Sequence, residues 1–456
     1  MDTREAMWRI RVAWMFGAGW AFTTSSIALT RYAECLHLPL FWYGVLSAMP
    51  FVGAFMALPT SFLIARYGHR KRMFLVAGIA YRSLWVPIAL VPWVLPAAWW
   101  WPMLMVLQAL SSLGAYVMNP AVMSWFADVI PARIRGRFFS LWRLGGMIVG
   151  LVATLGVAEL LDLAAPGGQV ALTRTISVLF AVAAVCGVID FLWLVPIPDP
   201  EHRPNPQIRL WALFREPLAD RSFRCFLGYN ATLTLGIGFL GQYVNLYLGK
   251  VLGMDNRLIN LLNMIMPMLT ALLVIRGWGR LVDRLGCKPV LIVCTVLVIH
   301  GAASWILVTP EHPWVGYLAI LVAVAAWAGI DTAGFNVMLR FSSSHGGRRQ
   351  GSSYLAVNSV VVAVAGALSG LLGGGVANWL GEGWRRSLFG LPLTYHGVLF
   401  IISGVLRLAA LPWLFGLQEP ESHSAKEAVR YVLGRAATRL RGLAAAPFER
   451  KEHGED

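Results

Sequence analysis

Long apolar runs separated by short polar interruptions set the pattern of this chain. A helix needs about 20 apolar residues to cross a bilayer core. Runs of that order occupy 8–31, 40–65, 73–95, 99–127, 138–161 and 174–197, then 223–249, 256–282, 288–308, 314–341, 351–380 and 395–416. Between the two sets, 198–222 gathers Pro198, Pro200, Pro204, Pro206 and Pro217 with Arg203, Arg209, Arg215 and Arg221. Proline and charge stop the apolar pattern there, so the stretch reads as a polar linker. The expected fold is an all-α membrane protein of twelve transmembrane helices in two six-helix pseudo-repeats, 1–197 and 223–416. Beyond them, 417–456 places Val429, Val432, Leu433, Ala436, Leu440 and Leu443 at helical spacing against Lys426, Arg430, Arg435, Arg439 and Arg441. This is a basic amphipathic tail suited to anionic lipid at the cytoplasmic surface.

Basic residues fix the expected orientation, because cytoplasmic loops carry the excess of lysine and arginine. With both termini inside, eighteen of the loop cations face the cytoplasm, among them Arg66, Arg70, Lys71, Arg72, Arg133, Arg135, Arg137, Arg280, Arg284, Lys288 and Arg340. Only six, Arg31, Arg174, Lys250, Arg257, Arg385 and Arg386, fall outside. The halves also repeat: Gly68 and Gly286 stand 218 residues apart and Gly136 and Gly351 stand 215 apart, as expected of a duplicated unit.

The most informative stretch is Gly277 to Pro289, which packs Arg280, Asp283, Arg284 and Lys288 into a short charged turn between two apolar segments. Its pattern Gly279-x-x-x-Asp283-Arg284-x-Gly286-x-Lys288 resembles the signature loop of the major facilitator superfamily, the large family of twelve-helix solute transporters. A weaker copy lies at 61–72, where Arg66, Gly68, Arg70, Lys71 and Arg72 persist but Ser61 replaces the first glycine and Ala65 the aspartate. The resemblance implies that these loops latch the halves together inside, with Asp283 near Arg135 and Arg137 at the start of the fifth segment. It also implies a weaker first latch, since Ala65 carries no anion.

Ionisable groups inside the spans are expensive and therefore candidate functional residues. They are Arg82, Arg143, Asp190, Arg276, His300, Asp331 and Arg407. Arg276 is one turn from Arg280 and can snorkel to the surface. Asp190 and Arg407 lie on segments that the resemblance places at the periphery, which favours a structural role. His300 and Arg82 occupy equivalent repeat positions, which also reads as structural. Asp331, set among Gly329, Thr332, Gly334 and Asn336, is the first candidate for proton coupling, with a salt bridge to Arg143 as the competing reading. Arg143 is the candidate partner of an anionic substrate group. The resemblance makes segments one, four, seven and ten line a central cavity, and these carry Thr24, Gln108, Tyr116, Asn119, Asn230 and Gln242 as binding candidates. Hydrogen bonding between helices would use the same residue types.

Composition narrows the classes further. Mean hydropathy is +0.63. Only 13% of the 456 residues are charged, against about 25% for a soluble domain. The net charge of +15 sits in loops between apolar runs, so a nucleic-acid partner is not expected. Cys35, Cys186, Cys225, Cys287 and Cys294 have no ligand or disulfide spacing, and no cofactor or metal motif is present. No phosphate loop, nucleophile elbow or zinc-protease motif supports ATP-driven transport or hydrolysis, so the chain is not expected to be an enzyme. The first apolar run exceeds signal-peptide length and is retained as a helix. The expectation is a monomeric secondary transporter of the cytoplasmic membrane, moving an anionic or an amphipathic small solute by alternating access with protons as a candidate drive. A non-transporting sensor or assembly factor of the same fold is the alternative.

Overall fold

The computed structural model of the chain describes residues 2–131, 134–199, 212–308, 314–344, 348–388 and 391–419. Most of the linker and the basic tail from 420 onward lie outside the described residues. In lipid every backbone N–H and C=O must be satisfied within the protein, so the apolar runs become helices. The N-terminal half comprises α1 (Thr3–Thr24), α2 (Ile27–Cys35), α3 (Leu40–Ala54), α4 (Ala57–Tyr67), α5 (Arg70–Ser83), α6 (Trp85–Val94), α7 (Trp100–Val129), α8 (Arg135–Ala164) and α9 (Gly168–Leu194). The short α10 (Ala212–Ala219) leads into α11 (Arg221–Gly238), α12 (Gly241–Leu246), α13 (Asn256–Asn260), α14 (Met266–Leu285), α15 (Cys287–Ala303), α16 (Trp314–Ser344), α17 (Arg348–Leu380) and α18 (Tyr395–Phe415). A small antiparallel hairpin, β1 (Arg385–Leu388) and β2 (Leu391–Thr394), precedes α18.

Helices cover every apolar stretch read from the sequence, but several are interrupted. Among the described residues eight segments are long and apolar enough to cross a membrane, or nine if α1 and α2, bent by 45°, count as one. One of the eight, Leu141–Leu194, runs through α8 and α9 without an apolar break. The chain nonetheless reverses within it at Gly168, whose φ of +75° is the left-handed conformation glycine permits. The reversal is visible against α1. Trp14 and Phe22 pack on Gly146 and Gly150 in ascending order, whereas Trp8, Gly17 and Trp20 meet Trp193, Asp190 and Gly187 in descending order.

Glu419, Asp199 and the turns at Gly68 and Gly286 gather at one end of the bundle with most of the loop cations, here called the basic end. At the opposite end one buried cluster spans both halves, joining Tyr32, Leu46 and Trp85 to Tyr243, Leu246 and Ile259. Toward the basic end the core splits. Phe74, Trp125 and Phe191 form a cluster of N-terminal-half residues, and Phe223, Cys294 and Tyr354 one of C-terminal-half residues. The halves therefore meet at the far end and part toward the basic end.

The closest backbone approach between them is α3 on α17. A Cβ at Gly370 would collide with the carbonyl oxygen of Gly44, and one at Gly374 with that of Phe41. Gly370→Val should force these helices apart and lower the melting temperature of detergent-purified protein, by about 1–3 kcal/mol of overpacking. Gly375→Val, where a Cβ meets nothing within 4 Å, should leave it unchanged.

Candidate functional site

A polar seal joins the halves at the far end. Its centre is Asp162 of α8, whose carboxylate accepts from the backbone N–H groups of Asn256 (2.9 Å) and Arg257 (3.0 Å) and from Asn256 Nδ2 (2.7 Å). Those N–H groups open α13 and have no partner within their own helix, so an anion from the opposite half both caps them and meets the helix dipole. Around this contact Arg31 Nε donates to Asn256 Oδ1 (2.7 Å), Ile27 N to Asn260 Oδ1 (3.1 Å), and Asn260 Nδ2 to the carbonyl of Thr154 (3.2 Å). Thr30 Oγ1 donates to Gln242 Oε1, and Tyr243 OH donates to the carbonyl of Leu40 (3.0 Å).

Directly beneath the seal lies a cavity of about 370 Å³. It forms where helices are interrupted. Ser25 and Ser26 fill the break between α1 and α2, Leu240 lies in the break between α11 and α12, and Gly241 opens α12. Asn260, Leu262, Asn263 and Met264 come from the π-helical turn Leu261–Ile265 and its flanks. The rest of the wall includes Val244, Asn245, Trp305, Ile320, Trp327 and Arg407. Broken helices aim freed polar groups at mid-depth solute sites, and π-turns concentrate at functional positions.

Arg407 corrects the peripheral role expected from the sequence. It is only 4% exposed. Nη1 donates to the carbonyl of Val298 (2.9 Å), its guanidinium carbon lies 5.7 Å from the Trp327 ring, and Nε is buried without a hydrogen-bond partner. No carboxylate of the described residues pairs with it. Arg82 differs in having a counter-charge: Nη2 lies 2.9 Å from Asp190 Oδ2, Nε donates to Tyr81 OH (2.9 Å), and the rings of Trp20 and Phe191 flank it at 4.4 and 4.8 Å, although its Nη1 is likewise buried without a hydrogen-bond partner. Arg82 and Asp190 are thus a buried pair inside the N-terminal half.

The other candidates divide. Asp331 follows Trp327 by one turn on the same face of α16; it is exposed and, among the described residues, makes no ion pair or hydrogen bond. Arg143 is exposed on the face of α8 that carries Gly150, Thr154 and Leu161, the last two buried at the seal, and it too is unpaired. The two do not bridge each other. Gln108 Oε1 is buried without a partner, Tyr116 packs on Gly53, and the Asn119 side chain lies outside the described residues. Asn230 Nδ2 donates to Asn358 Oδ1 (2.7 Å) within its own half, and Thr24 Oγ1 to the carbonyl of Trp20 (2.9 Å) in its own helix. Gln242 serves the seal. Asn336 Nδ2 bonds the carbonyl of Thr332 (2.8 Å) and lines a separate hollow at the basic end with Asp283 and Arg340.

The signature loops are tied mostly within their own halves. Gly68 (φ +76°) ends α4 and Gly286 (φ +91°) opens α15. Arg66 lies over the rings of Phe62 and Tyr67, and Arg70, fully buried, pairs with Asp199 at 3.0 Å. Lys288 Nζ donates to the carbonyls of Phe415 (3.2 Å) and Leu417 (3.0 Å). A Cβ at Gly279 would meet nothing within 4 Å. Asp283 is exposed and unpaired among the described residues, Arg284 has a partner, and the side chains of Arg135 and Arg137 lie outside the described residues.

The profile of the Major Facilitator Superfamily matches residues 12–351, and the chain belongs to that family of transporters. It is a multi-pass integral membrane protein. Among solved structures, a variant of the nucleoside transporter NupG is similar at 13% identity, covering 91% of this chain and 100% of that one with a TM-score of 0.68. A D-xylose–proton symporter matches at 16% identity over 93% and 98%, TM-score 0.62. The xylose transporter XylE from E. coli, in a partially occluded inward-open conformation, matches at 15% identity over 92% and 99%, TM-score 0.62. No curated protein matches the chain.

Removing the Asp162 cap should weaken the seal. Asp162→Ala is expected to shift the balance toward a far-end-open form by about 1–2 kcal/mol, the worth of a helix cap. The check is the alkylation rate of a cysteine at Asn263, in a background lacking the native cysteines, by an impermeant maleimide added on the far side; an unchanged rate would remove Asp162 from the seal.

Proposed function

We propose that this protein is a secondary active transporter with twelve crossings and cytoplasmic termini, moving a small solute by alternating access between its two halves. The observation that carries this reading is the asymmetry of the seam: one shared core and a hydrogen-bonded seal at the far end, two separate cores at the basic end. By the positive-inside rule the basic end is cytoplasmic, and the conformation is then inward-facing. Solute would occupy the cavity under the seal and leave through the widening cleft lined by Asp331 and Arg143. The unengaged Asp283 fits this state, because a cytoplasmic latch would form only when the cleft closes. Small-solute cavities of about 300–1,000 Å³ are common, so the volume suits a metabolite.

Asp331 is the group we assign to proton coupling. It stands unpaired on the cavity face of α16, between the solute space and the cytoplasm, where a carboxylate can exchange a proton with water while lining the path. The D-xylose–proton symporter supports the same drive by likeness of fold alone.

Proteoliposomes challenged with nucleosides, pentoses and small carboxylates should exchange at least one solute class faster than empty vesicles. Cysteines at Thr30 and Gln242 bridged by a reducible cross-linker should stop that exchange, and reductant should restore it; flux through the bridged protein would exclude movement at the seal. Asp331→Asn should abolish accumulation driven by a proton gradient while leaving solute exchange intact. Gradient-driven accumulation by the variant would make Asp331 a structural residue.

A further inference from the structure

The two halves share a scaffold, and one difference between them points to a ligand. At the repeat offset already set by Gly68 and Gly286, position 82 corresponds to 300 and position 190 to 407, offsets of 218 and 217. The N-terminal half places Arg82 and Asp190 there and closes them into an ion pair at 2.9 Å. The C-terminal half places His300 and Arg407. The cation has moved to the last helix, and the carboxylate has no counterpart. His300 is exposed, and its side chain makes no hydrogen bond or ion pair among the described residues.

Arg407 is therefore a charge 96% removed from solvent, by its 4% exposure, with a donor that nothing in the protein receives. A guanidinium stays protonated in proteins, and an uncompensated charge at such depth persists only where it meets a counter-charge or a wet cavity. It lines the cavity beneath the seal together with Asn245 and Asn263, which bond each other at 2.7 Å, and with the indoles of Trp305 and Trp327. Leu240, Val244, Leu262, Met264, Ile320 and Val324 make most of the remaining wall apolar.

We infer that the transported solute is an organic carboxylate, its anionic oxygen held by Arg407 and its apolar or aromatic body lying against Trp305 and Trp327. This deepens the transport reading and rests on it. Arg407 supplies inside the C-terminal half what Asp190 satisfies internally in the other half: the protein leaves one position of the pair to be filled by the cargo. A guanidinium beside an indole selects charge and flatness rather than one metabolite, so an aromatic acid and a short fatty acid share the required chemistry, and the probes below separate them.

The experiment measures thermal unfolding of detergent-purified full-length protein with benzoate, indole-3-acetate and decanoate, against benzamide and indole-3-acetamide, with sodium chloride at matched ionic strength as blank. Bound ligand stabilises the folded state by mass action. Carboxylates should raise the melting temperature and their amides should not. The larger response to indole-3-acetate or to decanoate identifies an aromatic or a lipid-like cargo. Arg407→Gln should weaken carboxylate binding by about 10- to 100-fold, the worth of a charged hydrogen bond, and Arg407→Lys should keep part of it. Absence of any carboxylate shift in the wild type, equal shifts with acids and amides, or an intact response in Arg407→Gln each overturns the assignment. The wild-type comparison needs no variant, so a misfolded Arg407→Gln leaves it standing. Efflux of the same acids from proteoliposomes separates the two readings. Binding without flux would defeat transport but not the anchor, and flux indifferent to charge and to Arg407 would do the reverse.

Discussion

A guanidinium within the bilayer cannot fall back on water, and the two ways this protein settles that constraint organise everything else in it. In the N-terminal half Arg82 is enclosed by Asp190, Tyr81 and two aromatic faces. Breaking such a pair by removing one partner leaves a buried unpaired charge, which typically costs about 3–5 kcal/mol. In the C-terminal half Arg407 has only a carbonyl and an indole for company. Its surroundings cannot close over it, and the cavity beneath the seal is where they stop.

The helix interruptions belong to the same economy of polar groups. A break in a membrane helix frees backbone donors and acceptors, tolerable only against protein or a wet cavity. The breaks after α1 and α11, together with the π-turn before α14, converge on one space. The polar groups just beyond them, from Ile27 to Arg31 and at Gln242, Asn256 and Asn260, build the seal. Cavity and seal are thus two sides of one set of irregularities.

Much of this was legible in the sequence because hydropathy is a direct readout of what lipid permits. The helical stretches and the paired turns at Gly68 and Gly286 follow from composition and spacing alone. The family follows from Gly279, Asp283, Arg284 and Lys288. What was not legible depends on rotation about helix axes and on which half a side chain faces. Arg407 sits in the last apolar run, where its neighbours in sequence give no sign that it turns inward; only the repeat offset with Asp190, noticed as a reversal of charge, could have flagged it. Gln242 has the composition of a binding residue but spends its amide on Thr30. Asp162, at the very end of an apolar run, looks like an ordinary boundary charge, and its role appears only when the start of α13 is brought against it from 94 residues away.

The braces at the basic end bear on how such a molecule can move. Lys71 Nζ reaches the carbonyl of Val195, and Asp199 takes Arg70; at the matching place in the other half, Lys288 Nζ reaches the carbonyls of Phe415 and Leu417, and Glu419 receives the backbone N–H groups of Cys287 and Lys288 at 2.9 and 2.7 Å. In each half the third run of the repeat is strapped to the sixth, so neither half can fan open at that end. In the alternating-access reading proposed above, deformation would fall to the close glycine contact of α3 and α17 as a fulcrum between two stiff levers, and a few ångströms of yielding at the Asp162 contact would be magnified along the full length of each lever into a swing at the opposite mouth.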